Sequence, residues 1–128
     1  MATAVLTVPA APEHARTARL VAGAAARRAG VETDLIDDVR LAVAEAVGLA
    51  VTAATDAVVA GGQAADVAVS MVDDGPLFRI QVAWAPVGEP DTDGEELAVA
   101  VMESLSDELA LGSSAEGRSI TMAWSTGG

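Results

Sequence analysis

TDLIDDVRLAVAEAVGLAVTAA (residues 33–54) and VAVSMVDDGPLFRIQVAW (residues 67–84) carry two different hydrophobic periods within one chain. In the first, Ile36, Val39, Val43, Ala46, Val47, Ala50 and Ala54 recur every three to four residues, the spacing of a helix with one buried face. Thr33 opens it, and Asp34, Asp37 and Asp38 fall in its first turns, where the helix dipole favours negative charge. In the second, the period drops to two. Val67, Val69 and Met71 share one face of a strand over residues 65–72, with Ala68, Ser70 and Val72 on the other. Asp73, Asp74, Gly75 and Pro76 read as a hairpin turn. Beyond it Phe78, Ile80, Val82 and Trp84 alternate with Arg79 and Gln81, so one face packs and one is wet.

Upstream, residues 12–29 form helix, with Pro12 suited to the first turn and Gly30 to the C-terminal cap. Residues 2–8 alternate weakly and stop at Pro9, as an edge strand does. Downstream, residues 86–94 make an acidic loop. Residues 95–109 make a third helix, with Leu97, Val101, Leu105 and Leu109 at helical spacing. A last hairpin points Ile120, Met122 and Trp124 one way. The order β, α, α, β, β, α, β, β predicts a single α/β domain over residues 1–128, an α+β sandwich whose mostly antiparallel sheet carries three helices on one face.

Composition narrows the function. The net charge is −12, from seven Arg and no Lys against nineteen Asp and Glu, so nucleic acid and anionic membrane are repelled. With no Cys and only His14, neither a disulfide nor a thiolate or histidine metal cluster is expected. No stretch approaches the ~18–20 uncharged apolar residues of a membrane span, and no basic segment precedes an apolar block at the start. The expected location is the cytoplasm.

The element order, two helices then hairpin, helix and hairpin, resembles the GHKL ATP-binding fold of histidine kinases, gyrase and the anti-sigma-factor serine kinases. AVAEAVGLAV (residues 42–51), preceded by Val39 and Leu41, is similar to the anti-sigma kinase helix that carries a Glu followed four residues later by an Asn. Glu45 falls on the Glu and Leu49 on the Asn. MESLSDEL (residues 102–109) resembles the stretch after that family's second glycine box, and SSAEG (residues 113–117) the turn before its last strand. The same register places Arg19 on an arginine that family members use to contact a sigma factor and an anti-anti-sigma protein.

The resemblance implies a nucleotide site, and this sequence departs from it at each of its parts. The family's Asn coordinates the magnesium ion on the ATP phosphates, and its Glu activates the attacking serine. Leu49 offers no oxygen to magnesium, and the chain contains no Asn. The adenine-reading acidic motif maps to Trp84, Ala85 and Pro86, and the parity of Trp84 turns its ring toward the helices. The glycine box maps to Glu96, Leu97 and Ala98 behind Glu95, with Glu89, Asp91 and Asp93 in the loop before it. A triphosphate there is expected to meet like charges and no nearby cation. Neither ATP nor magnesium is expected as cofactor, and Glu45 stands as a vestigial catalytic base or a solvated surface acid.

Function is expected instead at the first helix. Arg16 and Arg19, three residues apart, either present guanidinium forks to a carboxylate-bearing partner or pair with the domain's own acids. His14 lies at the same helix start. The implied partners are an anti-anti-sigma (STAS) protein, a sigma factor or both, with a homodimer through the first strand as in the family. The implied role is an anti-sigma-factor-like regulator acting by protein binding in a partner-switching circuit. The alternatives are a divergent ATP-dependent serine kinase that phosphorylates the anti-anti-sigma protein, and a scaffold or small-ligand domain that shares only the fold.

Overall fold

Helix α1 (Pro12–Ala29) begins with Pro12, which needs no amide partner in the first turn, and ends at Gly30 in the left-handed region, φ 96°. The Gly30 amide donates to the carbonyls of Ala26 and Arg27, and the Val31 amide closes the cap on Ala26 at 3.1 Å. After this break, α2 (Thr33–Val59) runs back along α1. Ala18, Ala22, Gly23 and Ala26 of α1 are buried, as are Val39, Ala42, Val43, Ala46 and Val47 of α2. Small side chains let the two helices approach closely. At Gly23 a Cβ would lie 2.5 Å from Nε of Arg40, whose stem crosses from α2 at that point.

The computed structural model describes residues 2–59, 61, 66–85, 92–115 and 117–127. Its strands are β1 (Ala2–Pro9), β2 (Asp66–Asp74), β3 (Leu77–Trp84), β4 (Glu108–Ser114) and β5 (Gly117–Ser125), with α3 (Thr92–Leu105) between β3 and β4. They form one sheet in the order β1-β2-β3-β5-β4, every pairing antiparallel. The α+β architecture, the antiparallel sheet and the three helices agree with expectation.

The residues that alternate toward the helices are the core: Val67, Val69 and Met71 of β2, Phe78, Ile80, Val82 and Trp84 of β3, and Ile120, Met122 and Trp124 of β5. Their registers stack Phe78 against Trp124, Ile80 against Met122 and Val82 against Ile120. Among the described residues no polar or charged residue is fully buried.

Several expected boundaries move, among them the start of the third helix, which lies at Thr92 rather than Glu95. Asp73 and Asp74 do not form the turn; they extend β2 opposite Phe78 and Leu77, leaving the two-residue loop Gly75-Pro76 with Gly75 at φ 67°. A short loop with a positive φ at its first position follows the strand twist better than a four-residue turn. The third helix stops at Leu105 rather than Leu109. The Ser106 hydroxyl donates to the Met102 carbonyl at 2.8 Å, and the indole N–H of Trp124 donates to the Leu105 carbonyl at 2.7 Å. With those carbonyls satisfied from outside the helical ladder, the chain turns at Ser106, and Leu109 pairs with Met122 on β4.

The buried face of α3 also differs from the leucine stripe. Ala98 and Met102 point inward, whereas Leu97 is 70% exposed. The sheet beneath already supplies Phe78, Trp84 and Trp124 as bulk, so the helix presents a small residue and one flexible thioether. No described helix is long and apolar enough to cross a membrane.

Candidate functional site

Strand β3 ends at Trp84, whose ring is buried on the helix-facing side as its parity requires. Its cross-strand partner is Arg118, the second residue of β5. Gly117 makes that pairing possible, since a Cβ there would stand 2.3 Å from the Trp84 carbonyl oxygen. No side chain fits between those two backbones.

From this position Arg118 reaches the first turn of α3. Its Nη1 donates to Oε2 of Glu95 at 2.7 Å and its Nη2 donates to Oε1, a bidentate fork on one carboxylate. The guanidinium carbon stands 6.0 Å from the centre of the Trp84 ring, in cation–π range. Glu95 sits where the α3 dipole favours an anion. The pair is shielded from water, with 28% of the Arg118 and 16% of the Glu95 side chain exposed.

Arg118 overturns one expectation, namely that no cation lies near the positions aligned with the nucleotide boxes. The sequence gives little warning, for Glu95 and Arg118 are far apart and no local pattern joins them. The only hint is that Arg118 is the one cation after Arg79. An open cleft of about 530 Å3 borders this cluster, lined in part by Asp66, Trp84, Ser113, Ser114 and Arg118.

The other sequence candidates distribute as follows. Glu45 is exposed on α2, and Leu49, one turn on, is partly buried against the core. Glu96 is exposed and Ala98 buried on α3. Pro86, Glu89 and Asp91 lie outside the described residues, as does the Asp93 side chain.

Helix α1 carries Arg16, Arg19, Arg27 and Arg28, four of the seven arginines, against one acid, Glu13. The ion pairs among the described residues are Arg40 with Asp37, Arg79 with Asp74 and Arg118 with Glu95. Among the described residues neither Arg16 nor Arg19 forms an ion pair. Arg16 is exposed and Arg19 partly buried beside the core stripe. Leu20 and Val21 are exposed between the two arginine pairs. His14 does not join them, because two residues of α-helix rotate it about 160° from Arg16, onto another flank.

The fold and these residues place the chain in a known class. Residues 8–124 match the histidine kinase-like ATPase domain, and the chain belongs to that family. Among solved structures, the crystal structure of the RsbU and RsbW domains of Rv1364c from Mycobacterium tuberculosis is similar, with a TM-score of 0.68 and 22% identity over 97% of this chain and 32% of that one. The likeness is one of fold, and this chain spans about a third of that protein's length. No curated protein matches.

Proposed function

We propose that this domain is an anti-sigma-factor-like regulator that works by binding other proteins in a partner-switching circuit controlling transcription, without ATP binding or kinase activity. The observation that carries the reading is the charge distribution: a helix with four arginines, none in an ion pair among the described residues, on a chain of net charge −12. An acidic surface on an anti-anti-sigma (STAS) protein or a sigma factor is the complement of α1, with Arg16 and Arg19 as its forks and Leu20 as the apolar contact between charges.

The residues at the family's nucleotide position do not fit magnesium ATP. Leu49 has no oxygen donor, the buried Trp84 ring takes up space on the helix side of the sheet, and Arg118 is already forked by Glu95. The competing reading, a divergent serine kinase with Glu45 as base, draws on the exposure of Glu45 on α2.

Two measurements separate the readings. Calorimetry against the cell's STAS proteins and sigma factors is expected to find a partner, with Arg19→Ala weakening it about tenfold, the loss of one charged hydrogen bond. Undiminished binding by that variant overturns the proposed surface. Millimolar magnesium ATP is expected to leave the melting temperature unmoved, whereas a true ligand at about 100 times its Kd adds ~2.7 kcal/mol and a visible shift. A shift favours the kinase.

A further inference from the structure

The sheet has two open edges, β1 and β4. β1 finishes in Pro9, which has no amide to offer a neighbour. β4, ELALGSS, carries neither proline nor lysine, and its register with β5 runs unbroken from Glu108 to Ser114 without a bulge. Neither a proline nor a bulge keeps this edge from accepting another strand, and its one charged residue, Glu108, is at its end.

Among the described residues no element covers the helix side of this edge beyond α3. Leu109 and Leu111 face the core side, opposite Met122 and Ile120, but α3 ends at Leu105 and leaves Leu111 53% exposed. Between β4 and the flank of α3 runs a groove of about 350 Å3 lined by Val99, Glu103, Ser106, Asp107, Leu109 and Leu111. Its walls are apolar at Val99 and the two leucines, and its rim is acidic. Glu108 adds a carboxylate on the other face of the edge, since its partner is Ala123.

We infer that the β4 edge is a docking site for an extended peptide of alternating apolar and basic residues, added to the sheet as a further strand. Main-chain hydrogen bonds to β4 hold such a peptide, alternate apolar side chains enter the groove beside Leu111 and Val99, and the Lys or Arg between them lie on the opposite face with Glu108. Charge selects this occupant over a second copy of the chain. Two copies of the chain each carry −12 and repel one another. The surface is separate from α1, so the proposal stands or falls independently of the one above.

The test uses the full chain and a fluorescein-labelled peptide of about nine alternating Lys and Val residues. Anisotropy should saturate, and the amide resonances that move should be those of residues 108–114. Leu111→Lys should weaken binding about tenfold or more, a loss of ~1.4 kcal/mol, while Thr52→Lys, the same charge change on the exposed face of α2, should leave it within about twofold. Equal loss in both variants overturns the site in favour of unspecific charge attraction, as does a failure to saturate. Amide shifts elsewhere, with β4 still, overturn it without reference to any variant. A Leu111→Lys chain that sediments as a smaller species than the parent also overturns it, by showing that a second copy occupies the edge.

Discussion

Trp124→Ala is expected to cost about 3 to 5 kcal/mol of folding stability, a large share of the ~5 to 15 kcal/mol that holds a domain of this kind together. Trp124 is 1% exposed, stacks on Phe78 across the β3–β5 register, and donates its indole N–H to the Leu105 carbonyl. The substitution therefore opens a cavity under α3 and orphans a carbonyl at the point where the helix stops. Trp124→Phe separates the two effects. It keeps most of the volume and removes the donor, so its cost should be nearer ~1 to 3 kcal/mol, the penalty for an unsatisfied group. Urea midpoints with unchanged m-values decide the matter, and Trp84 remains as the fluorescent reporter. If Phe proves as damaging as Ala, the hydrogen bond anchors α3 rather than the packing. If Ala costs below about 1 kcal/mol, the core account given above is wrong.

Glu95→Ala is the second large effect, expected at about 2 to 3 kcal/mol. Removing one partner of a fully buried pair costs ~3 to 5 kcal/mol because the other charge is stranded. The figure here is lower because Arg118 keeps 28% of its side chain exposed and can turn toward water. Arg118→Leu in the same background should recover part of the loss, since it removes the stranded guanidinium and leaves an apolar side chain beside Trp84. A double-mutant cycle with no coupling between the two positions refutes a stabilising role for the Arg118–Glu95 pair. The cycle has a second readout in Trp84 emission, which should shift to the red in Glu95→Ala as the guanidinium withdraws and water approaches the ring.

Much of the architecture was legible because it rests on local rules. Pro12 and Gly30 bracket α1, as a fixed φ and a left-handed cap require, and the alternation from Phe78 to Trp84 put the indole on the helix side. The misreadings have a common physical origin in partners distant along the chain. Leu109 continues the helical period of Leu97, Val101 and Leu105, and only the pairing with Met122 and the caps on Leu105 and Met102 tell it to be strand. Leu97 reads as core, yet the ring-filled sheet leaves room only for Ala98. The candidate site divides the same way. That Leu49 has no oxygen donor is a matter of residue type and needs no structure. The fork between Arg118 and Glu95 depends on Gly117 admitting β5 against the Trp84 carbonyl, a contact invisible in any window of sequence.

The placement of arginines on α1 has a kinetic consequence. That helix carries four cations and one acid, while the remainder of the chain carries three cations and eighteen acids. Positive charge is thus concentrated on α1 and sparse in the rest of the sequence. On the proposed function, an acidic partner would be repelled by the acidic remainder of the chain and attracted at α1, so that productive encounters would be selected before contact. Because α1 is held against α2 through Ala18, Ala22, Gly23 and Ala26, the charges ride on a stiff platform and little freedom is lost when they engage. Capture should therefore be fast at low ionic strength and slow steeply as salt is added, while the dissociation rate, set by the short-range contacts, changes far less.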